Sequence, residues 1–279
     1  MEQYINGSDG STFALVSTLG GTVMDFSYQK INIIYPQRKV DIQGEKKSRG
    51  GIPICFPFFG PAINRFAGIS QHGWLQSQGL IIKSLMESSI TMTGSQRSEK
   101  FPWNLEYSVS VGVNPGILTV NLEVRRMQDS NPEDCPINPA FHPYFTNLGK
   151  REVKIGQQTY TDFLAESLIV PSERNVVIDN GLCKVQMSLG GDFSGNSRIC
   201  LWSDDPDKYF CVEPMLAPME SFADDDDGVF LAGKEIIRLD MALRVMPPDE
   251  KENPDASNSR HEPLVQNDRT NLKLAAACP

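Results

Sequence analysis

Leu105-Glu106-Tyr107-Ser108-Val109-Ser110-Val111-Gly112-Val113 and, just beyond Asn114-Pro115-Gly116, Leu118-Thr119-Val120-Asn121-Leu122-Glu123-Val124-Arg125 decide the fold class. In both stretches every second residue is apolar and most of those between are polar or small. That period puts all apolar side chains on one face of an extended chain, which is the pattern of a half-buried strand in an antiparallel sheet. Asn-Pro-Gly between them is turn chemistry.

The same period recurs near the end, where Ile237, Leu239, Met241, Leu243 and Val245 alternate with Arg238, Asp240 and Arg244. Further strands are expected at 12–18, 22–28, 31–35, 80–87, 89–94, 151–156, 184–190, 198–203 and 208–213. Gly20-Gly21 and Asp179-Asn180-Gly181 separate some of these segments. No amphipathic helix longer than two turns is legible, and no internal repeat. Many strands with few helices pack as face-to-face sheets or a barrel. The expectation is an all-β fold, a large antiparallel two-sheet sandwich with few short helices, over residues 1–246. From Pro247 the chain turns polar and poor in large apolar residues. Residues 247–279 are expected to form a mobile tail, its end LKLAAACP resembling a fusion scar.

A chain of 279 residues can bury a substantial core. Its net charge of −9 argues against nucleic acid and anionic membranes as partners. No apolar run is long enough for a membrane helix, and MEQYINGSDG does not read as a signal peptide, so a cytoplasmic protein is expected. Of six cysteines none forms a CxxC pair, which fits buried free thiols better than a zinc or redox motif. Asp224-Asp225-Asp226-Asp227 is the one acidic run that invites a metal, and it reads as a solvated loop.

Chemistry-bearing residues are few. Histidine occurs three times, and His261 lies in the tail. His142 sits in Asn138-Pro139-Ala140-Phe141-His142-Pro143-Tyr144-Phe145, among prolines and aromatics, and His72 sits in Gln71-His72-Gly73-Trp74. A histidine packed among rings is more often a hydrogen-bonded packing element than a catalyst. Glu213 changes the balance. It ends the apolar run Tyr209-Phe210-Cys211-Val212 and is followed by Pro214, a poor setting for a solvated carboxylate. As a purely structural group it would be a buried ion-pair partner, with Arg49 as the candidate cation. The loop Arg49-Gly50-Gly51-Ile52-Pro53-Ile54-Cys55-Phe56-Pro57-Phe58-Phe59-Gly60-Pro61 reads as a stiff apolar wall whose Gly-Gly allows close backbone approach.

RGGIPICFPFFGP, HGW, FHPYF and FCVEP, in this order, resemble the hexose-phosphate mutarotase branch of the aldose 1-epimerase family. The resemblance runs from about residue 10 to 246 and implies a galactose mutarotase-like sandwich. It implies His142 as the general acid at the sugar ring oxygen and Glu213 as the general base at the anomeric hydroxyl. It also implies His72 as a sugar hydrogen-bonding group and Arg49 as a holder of a phosphate or hydroxyl. Such chemistry needs neither metal nor organic cofactor, and none is expected. The implied partner is a sugar or sugar phosphate, and the chain is expected to be a monomer or weak dimer.

Three positions depart from the family pattern. Gln76 stands where phosphate-binding members carry arginine, with Arg65 as a possible substitute charge. Asn175 stands near the position of a sugar-binding aspartate, and Met215 replaces a glycine after Pro214. Trp202 completes the candidate sugar contacts. A non-catalytic relative that binds carbohydrate or serves as a complex subunit is the alternative. A hydrolase is disfavoured because it needs two carboxylates, with Asp204 or Asp205 as the only candidate partner.

Overall fold

The computed structural model describes residues 1–42, 44–61, 66–128, 131–193, 195–219, 229–233 and 235–246. The expected tail, the Asp224–Asp227 run and Arg65 lie outside these residues.

Among the described residues two large antiparallel sheets face each other across one apolar core. The nine-stranded sheet runs in the order Gln158–Tyr160, Glu152–Ile155, Asn175–Asp179, Lys184–Gly191, Ile236–Met246, Ile117–Arg126, Phe101–Asn114, Ser89–Ser98, Ile81–Met86. Its centre is the segment that decided the fold class. Phe101–Asn114 pairs with Ile117–Arg126 in a register that sets Val109 opposite Leu122 and Val111 opposite Val120. Leu105, Tyr107, Val109, Val111 and Val113 are all buried, whereas Glu106 between them is exposed. A one-residue slip would turn every one of these side chains to solvent. Each large aliphatic group is worth about 1.5–3 kcal/mol buried, so the register is firmly set.

The ten-stranded sheet holds Glu2–Asn6, Thr12–Ser17, Val23–Tyr28 and Ile31–Ile34 on one flank. Next come Tyr144–Thr146, then Tyr209–Met215, then Ala140–Phe141 and Ile54–Cys55. Arg198–Trp202 pairs along Tyr209–Met215, and Leu168–Pro171 pairs with Arg198–Trp202. Tyr209–Met215 is buried at all seven residues, since it has neighbours on both edges and both faces. This explains its near-continuous apolar sequence.

The expected strands are all present, and the described residues include a short 3-10 turn, Leu75–Ser77. Strands not foreseen include the hairpin of Arg38–Ile42 with Glu45–Arg49, whose residues are mostly exposed and whose second strand has no apolar residue. Asn175–Asp179 and Leu168–Pro171 were also not foreseen. Cys55, Cys135, Cys200 and Cys211 are buried and Cys183 is half-buried, and none of the five is in a disulfide. No helix among the described residues is long and apolar enough to cross a membrane.

Candidate active site

Register builds the site. Ala140 lies opposite Met215 and Tyr144 opposite Cys211 in the two short stretches that pair with Tyr209–Met215. The ladder is interrupted at Pro143, which has no N–H to give. Continued across that interruption, the same register sets His142 opposite Glu213. Cross-strand neighbours on one face have Cβ atoms about 5 Å apart, so the two side chains meet. His142 Nε2 lies 3.5 Å from Glu213 Oε2. On the other edge Glu213 faces Cys200, and Cys211 faces Trp202. One face of the sheet therefore carries two rows, His142–Glu213–Cys200 and Tyr144–Cys211–Trp202.

Aromatic rings hold the imidazole in place. Tyr144 stacks on His142 at 4.7 Å between centroids and 6° between planes. Trp202 meets His142 edge-on at 6.1 Å, and His72 does so at 5.5 Å. The His142 N–H donates to the Pro53 carbonyl, which ties the histidine to the wall formed by residues 49–61.

Both members of the pair are nearly sealed, with 6% exposure for His142 and 1% for Glu213. Burial disfavours charge on either one. It pushes the Glu213 carboxyl well above the usual carboxylate range. Burial, and secondarily the nearby His72, push the His142 imidazolium well below its ordinary value. At 3.5 Å the two are close enough for the protonation of one to affect the other. Glu213 Oε1 and His142 Nδ1 are buried without a hydrogen-bond partner. A native structure rarely leaves two such buried atoms unsatisfied.

The pair opens onto a cavity of about 430 Å³ whose lining includes Arg49, Phe59, His72, Gln76, His142, Trp202 and Glu213. That volume is in the range of about 300–1,000 Å³ common for small-molecule sites. His72 and its neighbour show why their sequence is HG. His72 has φ +63° and Gly73 φ +78°. A Cβ on Gly73 would lie 1.9 Å from the Phe56 carbonyl oxygen. The tight turn lets Gly60 N–H donate to His72 Nδ1 at 3.1 Å. With Nδ1 accepting, the proton of the neutral ring is on Nε2, which makes His72 a donor. Burial, helped by the Arg49 charge, lowers its pKa to about 4, so it is neutral at ordinary pH.

Arg49 does not pair with Glu213, contrary to the simplest structural expectation. Its Nε and Nη2 donate to the Asp204 carboxylate at 3.0 and 2.7 Å, and its Nη1 donates to the Ser48 carbonyl at 2.9 Å. Its guanidinium lies 5.2 Å from the Trp202 ring centre. Tyr209 donates its hydroxyl to Asp204 as well. Burial alone would raise Asp204, but the hydrogen bonds from Arg49 and Tyr209 outweigh it and hold the carboxyl below its usual value. Asp204 is thus a fixed counter-ion, and Asp205 is bonded to Lys208. Neither is a second carboxylate beside Glu213.

Of the other expected contacts, Gln76 and Trp202 line the cavity, and Gln76 Nε2 also lies 3.7 Å from Cys55 Sγ. Asn175 does not line the cavity. It opens a strand of the nine-stranded sheet whose Val176 and Ile178 face the core, so its side chain points outward. There it accepts from Gln186 Nε2 at 3.1 Å and from Ser188 Oγ at 2.8 Å. Strand alternation overrides the alignment that placed it at the sugar. Tyr144 was missed as a site residue, although its spacing of two from His142 was the signal for a shared face. Ser167 and Met219 also line the cavity, and nothing in their local sequence marks them.

The Gly-Gly after Arg49 does allow a close approach, to backbone and not to ligand. A Cβ on Gly50 would lie 2.5 Å from the Pro36 oxygen, and one on Gly51 2.5 Å from the Val23 oxygen.

Residues 5–179 match the model of the aldose 1-epimerase family. No curated protein matches significantly. Among solved structures, a protein from Synechocystis superposes with a TM-score of 0.71 at 16% identity, over 88% of this chain and 95% of its own. A galactose mutarotase related enzyme from Lactobacillus acidophilus gives 0.70 at 15% identity, over 91% and 100%. A galactose mutarotase-like protein from Lactobacillus casei gives 0.64 at 14% identity, over 88% and 100%. At such identities the likeness is one of fold.

Proposed function

The chain belongs to the aldose 1-epimerase family, and on that premise we propose that it interconverts the α and β anomers of an unphosphorylated hexose by acid–base ring opening. The observation that carries this reading is the buried imidazole–carboxylate pair, 3.5 Å apart, on the wall of a sugar-sized cavity.

Ring opening needs a proton taken from O1 and a proton given to O5 while the C1–O5 bond breaks. The aldehyde then turns about C1–C2 and closes on its other face, and the two protons return. The net proton count is zero, so a pair holding one mobile proton is sufficient. Without sugar, burial leaves that proton on Glu213 and leaves His142 neutral. Sugar hydroxyls reaching Glu213 Oε1 supply hydrogen bonds to the carboxylate, which favours its charged form. The proton then resides on His142. In that state His142 is the acid at the ring oxygen and Glu213 the base at the anomeric hydroxyl, and the roles reverse on closure. A well-placed group of this kind contributes roughly 10²–10⁴-fold. His72 Nε2–H donates to a hydroxyl, and Trp202 gives the ring an apolar face.

The charge balance supports a neutral sugar over a 6-phosphate. Among the described residues, both cavity-lining side chains with a permanent positive charge already face carboxylates, Arg49 with Asp204 and Lys47 with Glu45. Gln76 brings no charge where an arginine would supply a bidentate fork.

The test is the rate at which freshly dissolved α-D-glucose approaches anomeric equilibrium, followed by polarimetry or by NMR saturation exchange. Acceleration over buffer, greater for glucose than for its 6-phosphate, is expected. An unchanged rate for both sugars at micromolar protein would refute the catalytic reading and favour a binding protein.

A further inference from the structure

Cys211 has no part in the proton transfers above, yet it belongs to the same buried cluster. It precedes Glu213 by two residues on one strand, so thiol and carboxylate share a face. One ligand-type atom each from His142, Cys211 and Glu213 lie within 4.8 Å of one another, the single such trio among the described residues. All three residues are buried.

Zinc bonds of about 2.0–2.3 Å at tetrahedral angles hold nitrogen, oxygen and sulfur ligands roughly 3.4–3.7 Å apart. The His142 Nε2–Glu213 Oε2 distance of 3.5 Å already meets that requirement. A movement of at most about 1–1.5 Å brings in the sulfur. An independent feature points the same way. Glu213 Oε1 is buried and has no hydrogen-bond partner, so the carboxylate can turn onto a cation without breaking a bond. His142 and Glu213 line the cavity and Cys211, on the same sheet face, does not, so a fourth coordination position faces the opening and takes water.

The geometry points to a binding site for a thiophilic divalent cation, Zn²⁺ before all others, formed by His142, Glu213 and Cys211, whose occupation stops the acid–base pair. The mixed nitrogen, oxygen and sulfur donors suit zinc and exclude magnesium and calcium, which require oxygen. Binding releases the thiol proton and the Glu213 proton to solvent. The ion then occupies the imidazole lone pair and the carboxylate oxygen between which the mobile proton moves. The inhibition rests on the function proposed above, while the binding rests on the geometry alone.

Co²⁺ serves as the optical probe, titrated into the reduced full-length protein. The expected result is a thiolate-to-cobalt charge-transfer band that saturates at one ion per chain and is displaced by Zn²⁺. The band should vanish in both Cys211→Ala and Cys211→Ser, which keep all the other free cysteines. In parallel, Zn²⁺ should slow mutarotation by the wild type and a chelator should restore it. Cys211→Ala in chelator should keep the wild-type rate and need about tenfold more Zn²⁺, or higher still, for the same inhibition. No band, or a band that survives in both Cys211 variants, overturns the site. If neither Cys211 variant folds, Glu213→Gln decides, because it must weaken Co²⁺ binding by about tenfold or more. A band without mutarotation leaves the metal site standing and removes the proposed function; mutarotation without a band does the reverse.

Discussion

Arg49 holds the Asp204 carboxylate through Nε and Nη2 at 3.0 and 2.7 Å, joining residues 155 positions apart at the rim of the cavity. Both side chains are mostly buried, at 16% and 17% exposure, and Tyr209 adds a third hydrogen bond to the same carboxylate. The cation that sequence motifs offer to a phosphate is thereby neutralised.

Replacing Asp204 with Asn should free that charge. The partly buried arginine loses its partner, and stability should fall by about 1–3 kcal/mol, less than for a fully sealed pair because solvent reaches both groups. The KM for a hexose 6-phosphate should drop relative to that for the free hexose. Chemical denaturation and paired kinetics measure the two effects, and equal KM changes for both sugars would place Arg49 away from position 6.

Gln76→Arg approaches the same question from the opposite side. An added guanidinium within the cavity lining should improve binding of the 6-phosphate by about tenfold or more, through charge-assisted hydrogen bonds worth about 1.5–3 kcal/mol. Isothermal titration with both sugars reads the selectivity. A parallel response would remove Gln76 from any phosphate pocket.

His142→Asn should lower mutarotation by about two orders of magnitude or more while the protein stays folded. Glu213→Gln should do the same. Because the two groups share one proton, the double variant should be little worse than either single one, as is general for residues acting as a unit. Additive losses would show that the two act separately.

His72 gives the fold an acid sensitivity of definite sign. Its folded pKa is lowered from 6.5 to about 4, chiefly by burial. The unfolded chain therefore binds a proton that the folded chain refuses. The contribution is intact above pH 6.5 and is lost as pH falls toward about 4, by up to roughly 3 kcal/mol. His72→Asn keeps a residue tolerant of positive φ and removes the titration. The difference between the wild-type and variant stability curves from pH 7 to 4 should show this loss. Parallel curves would mean that the imidazole is solvated.

Gly73→Ala should be among the most damaging single substitutions. The new methyl would meet the Phe56 carbonyl oxygen at 1.9 Å, on a backbone at φ +78°. A loss of about 3 kcal/mol or more, or failure to fold, is expected in thermal melts.

The strand pattern was legible along long strands with one buried face, as at Leu105–Val113, because alternation is a local property of the chain, whereas the five residues of Asn175–Asp179 are too few to show it. It was not legible in Glu45–Arg49, a strand whose side chains are charged or exposed and whose pairing comes from its partner alone. His142 and Glu213 stood out because each is polar in an apolar setting. Asn175 stood out only by alignment, and the inward facing of Val176 and Ile178 turns it away from the cavity.

The sequence by itself determined the all-β class, the faces of the central strands and the identity of two polar groups committed to burial. These follow from the period of two and from the cost of placing histidine and glutamate among apolar residues. Only the tertiary structure decided that register across Pro143 sets His142 opposite Glu213, that Arg49 belongs to Asp204, and that the Cys211 thiol lies close to the pair. Sheet pairing joins positions seventy and more residues apart, and such contacts are fixed by which strands find each other, a choice no local stretch of chain encodes.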